Sequence, residues 1–178
     1  MGLLSTLAAH DFGFIDVDQL IQRLDDTLTA IDALEKHEGH LLNWYNTVSR
    51  APLLPRYVST VDSGNLSGAL ITIASGLTQL CQALARDEAN TARCARVTTL
   101  VGRADALVAA MDFTFLYDND RRLFAIGYRL ADADGPGRRF RLSRRRPSRV
   151  RGARWKRCSC PPPSSRSARS ATRPSCWH

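Results

Sequence analysis

The sequence predicts a mainly α-helical domain that carries one β-hairpin and ends in a disordered basic tail. Three observations predict it. Apolar residues recur at three- and four-residue steps in three separate stretches, as in helices with one face on a core. A shorter stretch alternates side-chain character on both sides of a turn, as a hairpin does. Acidic residues also stop at Asp134. Residues 1–134 hold 11 Lys+Arg and 17 Asp+Glu, a net of −6, whereas residues 135–178 hold 14 Lys+Arg and no acid, a net of +14. The overall +8 and the pI near 9.8 are therefore properties of the tail alone.

Residues 1–15 read as a weakly structured lead-in. Asp16 or Asp18 can cap the first helix, whose stripe is Val17, Leu20, Ile21, Leu24, Leu28, Ile31 and Leu34. It runs to about Lys36, with Gly39 as its stop, and His37 and His40 read as solvated helix-end residues. A second helix, capped by Asp62 or Ser63, fills Leu66 to Ala85. It is apolar nearly all round, which predicts burial on several sides, with Gly68 and Gly76 allowing close approach. A third runs from about Thr91 to Met111 on Val97, Leu100, Val101, Ala104, Leu107 and Val108. The hairpin is predicted over 113–127, turning at Asp118-Asn119-Asp120-Arg121, with Asp112 and Asp118 serving its structure.

The chain is long enough, at 178 residues, for one domain with a real core. No stretch reaches the ~18 apolar residues that cross a membrane, and no signal peptide is read at the N-terminus. Cys81 and Cys94 fall within helical patterns and read as small buried hydrophobes. The odd cysteine count and scattered spacing argue against a disulfide framework. Cys158, Cys160, Cys176 and His178 match no standard zinc spacing, so no metal site is expected.

Between the first two helices lies the stretch with the most chemistry, Leu41 to Leu66. It is aromatic and polar without helical or strand periodicity, and Pro52 and Pro55 hold it extended. A connection of this length in a compact domain is usually functional. Sugar sites need aromatic faces to stack on pyranose rings and fixed polar groups for hydroxyl pairs. Trp44 and Tyr45 can supply the first; Asn43, Arg56, Asp62, Ser63 and Asn65 can supply the second. The same residues also suit a plain structural role, with the rings plugging the core and Asp62, Ser63 and Asn65 capping a helix.

Asn43-Trp44-Tyr45, followed by the run from Pro55 to Leu66 (PRYVSTVDSGNL), resembles a signature of the cyclic β-1,2-glucan synthases, very large bacterial membrane enzymes. The run from Met111 to Tyr128 (MDFTFLYDNDRRLFAIGY) resembles the next signature of the same central, glucoamylase-like region. The resemblance covers roughly residues 16 to 130. It implies a partial (α/α)-barrel-type domain, a glycan cleft at the signature loop and β-1,2-glucan as partner, and it tips the loop residues toward substrate binding.

The chemistry of such enzymes, transglycosylation, requires an acid/base carboxyl and a nucleophilic carboxylate about 5–5.5 Å apart. Asp62 is the one acid inside the loop and is assigned to substrate binding; the catalytic carboxylates are not identified. Asn46 stands where the family pattern has Asp. The parts that would use UDP-glucose and that resemble phosphorylases are missing, so no cofactor is expected here. The resemblance thus implies a fragment, inactive alone, whose full-length parent sits at the bacterial inner membrane; the chain itself is expected in the cytoplasm.

The tail of residues 135–178 holds 13 Arg, eight Ser and six Pro. It reads either as a disordered segment or as GC-rich DNA translated out of frame. In the family a segment like LLASEARL follows the hairpin. Leu142 to Pro147 can be encoded CTC TCG CGT CGG AGG CCC, and dropping two bases restores Leu-Ala-Ser-Glu-Ala. On that reading no nucleic-acid partner is expected. Two other functions stay open at this point: a stand-alone glycan-binding helical module, and a nucleic-acid binder using a genuine basic tail.

Overall fold

The computed structural model describes residues 2–133 and 135–141. The predicted mainly α architecture is present. Helix α1 spans Gly2–Asp11, α2 Val17–Asp32, α3 Thr60–Leu84 and α4 Thr91–Ala109. Short strands stand between and after the helices: β1 (Lys36–His37), β2 (His40–Leu41), β3 (Tyr57–Ser59), β4 (Tyr117–Asp118), β5 (Leu123–Phe124), β6 (Gly127–Arg129) and β7 (Arg138–Phe140). The larger core is helical. Leu20, Ile21, Leu24 and Leu28 from α2 meet Leu70, Ile73 and Leu77 from α3 and Val97, Leu100 and Ala104 from α4.

Asp16 caps α2 through a reciprocal box with Gln19, as its position before the apolar stripe predicts. The helix stops earlier than expected, at Asp32. Lys36 folds back and donates to the carbonyls of Ile31 (2.7 Å), Asp32 (3.1 Å) and Leu34 (3.2 Å), satisfying the orphan acceptors of the last turn. Gly39 is therefore no helix stop. With Glu38 it makes the two-residue turn between β1 and β2, both with positive φ (49° and 79°). The histidines flanking it are not solvated: His40 is fully buried and His37 half-buried. The expectation failed because a β-hairpin, not a helix end, occupies this stretch.

The lead-in is also more ordered than predicted. Its even scatter of apolar residues carries no period, yet α1 packs on α2 and α3, with Leu3 buried. Leu7 lies against Gly76, where a Cβ would come within 2.9 Å of its Cδ2. Gly68, by contrast, faces open space. Helix α3 begins six residues before the expected start, and its cap is Ser59, whose Oγ accepts from Asp62 N–H at 3.2 Å, rather than Asp62 or Ser63. Nor is α3 buried on several sides among the described residues. Val61 and Ile71 are 64% and 56% exposed.

The predicted hairpin is shorter than 113–127. Thr114–Leu116 form a 3-10 turn, and only Tyr117–Asp118 pair with Leu123–Phe124. The following strand turns away to a distant partner: β6 pairs antiparallel with β3, placing Val58 opposite Tyr128 and Ser59 opposite Gly127. A Cβ at Gly127 would collide with the Tyr57 hydroxyl and the Val58 carbonyl, so this pairing requires glycine. The chain is not irregular directly after 135 either. Arg138–Phe140 form β7 on the free edge of β6, because main-chain bonding at a sheet edge needs no particular side chains. A second, smaller core forms around this sheet from Leu42, Val58, Leu116 and Leu130. The tail from Leu142 on, with Cys158, Cys160, Cys176 and His178, lies outside the described residues.

The β1–β2 turn has no room for a side chain, since a Cβ at Gly39 would overlap the Ala110 carbonyl. Gly39→Ala is expected to lower stability by about 2 kcal/mol or more. A thermal melt followed by circular dichroism should show a midpoint several degrees below wild type; an unchanged midpoint would contradict the packing described.

Candidate functional site

The signature loop leaves β2 and returns as β3. Its base is pinned by Asn43 N–H to Tyr57 O (2.8 Å), and its middle by Leu53 N–H to Trp44 O and Asn46 N–H to Ala51 O, each 2.9 Å. Asn46 builds the tip: its Oδ1 accepts from Val48 N–H (2.9 Å) and Ser49 N–H (2.8 Å). An Asp at this position could accept the same two bonds, so the departure from the family pattern keeps the turn and removes one negative charge.

The residues singled out from the sequence separate into two groups. Trp44 and Asn43 line a hollow of about 350 Å³ with Pro55, Tyr57, Ile126, Arg129 and Phe140. Asn43 also lines a second hollow of about 200 Å³, with Asp62, Ser63, Ser59 and Leu66. Asn43 thus joins the ring of Trp44, which is 62% exposed, to the polar start of α3. Burial, and then the charge of Asp62, hold the Tyr57 phenol above its ordinary pKa. Ser63 is buried, while Asp62 and Asn65 are exposed in the first turns of α3.

Tyr45, Arg56 and Asn65 line neither hollow. The Tyr45 hydroxyl accepts from Leu42 N–H and donates to Glu35 O, both at 2.7 Å. Its ring is thereby a latch between the loop base and the end of the first hairpin. Arg56 reaches Glu35 (3.5 Å) and donates to Ala131 O (3.2 Å).

A further hollow, about 740 Å³, was not singled out from the sequence. It is lined by His37, Glu38, Asp112, Phe115 and Tyr128 together with Arg138, Arg139 and Arg141. Its walls come from four distant stretches, and neither spacing nor composition relates them. Its arginines are engaged: Arg139 Nε donates to Phe115 O (2.6 Å), the Arg138 guanidinium lies 5.2 Å over the Phe140 ring, and Arg141 Nε is 3.1 Å from Asp118 Oδ2.

Asp112 and Asp118 each bond to the backbone of their own segment. Asp112 accepts from Thr114 N–H (2.8 Å) and Thr114 hydroxyl (2.6 Å), starting the 3-10 turn. Asp118 accepts from Arg121 N–H (3.4 Å) across the β4–β5 turn. Among the described residues, no group of three or more His, Cys, Asp and Glu converges as a metal site would.

No family model matches the chain. Over 73 residues, 41% of its length, it is 51% identical to the cyclic beta-(1,2)-glucan synthase NdvB of Rhizobium meliloti (strain 1021). The similarity to cyclic β-1,2-glucan synthases is thereby shown. The chain spans 3% of the length of that relative. No described helix is long and apolar enough to cross a membrane.

Tyr45→Phe removes a hydroxyl that satisfies two main-chain groups. It is expected to cost about 1–3 kcal/mol, read as a lower denaturation midpoint in urea. The Thr114 hydroxyl, followed by the Thr114 N–H, holds the Asp112 carboxyl below its usual range. Its contribution to stability is therefore present above the ordinary carboxylate range and lost as pH falls through the depressed value. Thr114→Val should move the Asp112 titration upward toward the ordinary value in carbon-13 NMR.

Proposed function

We propose that this chain carries part of the glucan-handling surface of a cyclic β-1,2-glucan synthase, and that by itself it binds linear β-1,2-glucan without turning it over. The observation that carries the reading is the pair of hollows meeting at Asn43. One presents an exposed indole on a loop whose backbone is pinned by main-chain bonds; the other presents Asp62 and Ser63. An exposed ring on a pinned backbone, near amide, hydroxyl and carboxylate groups, suits a pyranose chain, with stacking worth about 0.5–1.5 kcal/mol beyond area burial. The 51% identity to a cyclic beta-(1,2)-glucan synthase supports the substrate class. On this reading the helices belong to a glucoamylase-like (α/α) region whose catalytic carboxylates, donor-sugar chemistry and membrane location are supplied elsewhere in the full-length enzyme.

The tail is read as out of frame. Translating the coding DNA in all frames past codon 135 tests that directly: a restored Leu-Ala-Ser-Glu-Ala run supports it, and an intact reading frame favours a genuine basic tail.

Titration of the chain with linear β-1,2-glucan, followed by isothermal calorimetry, should give saturable binding. Trp44→Ala is expected to weaken it about threefold to tenfold at an unchanged thermal midpoint. Asp62→Asn keeps the shape and removes the charge, and should weaken binding in the same way. Wild-type affinity in both variants would return these residues to a structural role. Cyclised or hydrolysed product from the chain alone would show that catalytic groups are present.

A further inference from the structure

Helices α3 and α4 are joined by a short connection that contains only one 3-10 turn, Glu88–Asn90, and they form the most extensive helix contact of the fold. Cys81 lies in the last turn of α3 and Cys94 in the first turn of α4. Both thiols are free and half-buried. Their contacts are reciprocal: Cys81 Sγ is 3.9 Å from Cys94 O, and Cys94 Sγ is 3.5 Å from Cys81 O. Each sulfur therefore lies against the main-chain carbonyl of the other cysteine. Small buried hydrophobes, as the sequence suggests, would not need this facing arrangement.

We propose that Cys81 and Cys94 form a dithiol site that closes to an α3–α4 disulfide by exchange with a low-molecular-weight disulfide of the oxidised glutathione class. One protein thiolate attacks the small disulfide, forming a mixed disulfide and releasing one small thiol. The second protein thiolate then attacks the protein-side sulfur, forming the Cys81–Cys94 bond and releasing the second small thiol. Two protein thiols are oxidised, one disulfide is reduced to two thiols, and the two protein protons pass to the released thiols.

The second step is intramolecular and benefits from the fold, which already holds the two cysteines against one another. The hydrogen bond with Cys81, and then burial, hold the Cys94 thiol above its ordinary pKa. Exchange is therefore slow near neutral pH and speeds up as pH rises and thiolate forms. The link would tie the end of α3 to the start of α4, closing the only connection between them.

The test uses the full chain treated with oxidised glutathione at mildly alkaline pH, quenched with acid and digested with trypsin. Mass spectrometry should find the peptide of residues 57–86 joined to the peptide of residues 94–96. The link should form on the order of tenfold faster in the folded chain than in urea, and should raise the thermal midpoint by a few degrees. Cys94→Ser should trap glutathione on Cys81, which reports the attack step even if other cysteines react. Three results would overturn the proposal: glutathione persisting on wild-type Cys81 or Cys94, equal rates of linkage in urea and buffer, or a link that lowers the midpoint.

Discussion

The fold depends on one docking contact: the Glu38–Gly39 turn seated on the end of α4. Asp112 N–H donates to Glu38 O at 3.1 Å, and the buried His40 ring places Nε2 2.9 Å from Asp112 O. A carbonyl can only accept, so the His40 proton is on Nε2. The same ring meets Phe113 edge-on at 4.7 Å and Phe115 at 5.4 Å. Phe113 packs against both the helical core and the smaller core under the sheet. Two apolar clusters thus become one structure through a bare glycine, a buried imidazole and a shared phenylalanine. The signature loop starts directly after this contact, so its position follows from it.

Charge supports the helical part from outside. Arg103 on α4 bridges Asp25 and Asp32 on α2, and Arg93 pairs with Asp18 near the start of α2. The Arg93 contact holds the Asp18 carboxyl below its usual range. These pairs are exposed enough for salt to screen them, so they set the register of α2 on α4 more than they stabilise it. The stabilising weight rests on the leucines and isoleucines between the helices.

The sequence made the helices legible because their signal is local. A stripe such as Leu20, Ile21, Leu24 and Leu28 reports its own period, and Asp16 with Gln19 reports its own cap. The pairing of Tyr57–Ser59 with Gly127–Arg129 was not legible, because nothing within either stretch names a partner seventy residues away; only the need for glycine at 127 hints at it. His40 was misread for a related reason. A histidine near a glycine looks solvated until tertiary contacts supply Asp112 and two rings. In the candidate site, Asn43, Trp44, Asp62 and Ser63 were singled out by residue type, and the structure gathers them around two adjoining hollows. That Tyr45 and Arg56 also tie to Glu35 could be seen only once the first hairpin was in place.

The open side of α3 has a consequence for how the chain behaves in solution. Val61 and Ile71 stand on it more than half exposed, and Leu54, Val48, Phe12 and Phe14 add further uncovered apolar surface elsewhere. Water orders around such surface at a free-energy cost that scales with area, and bringing two copies together relieves it. Attraction of that origin strengthens with sulfate or phosphate and weakens on cooling, opposite to attraction between unlike charges, which added salt suppresses. Among the described residues, then, the apolar side of α3 and the surface charges respond to salt in opposite directions.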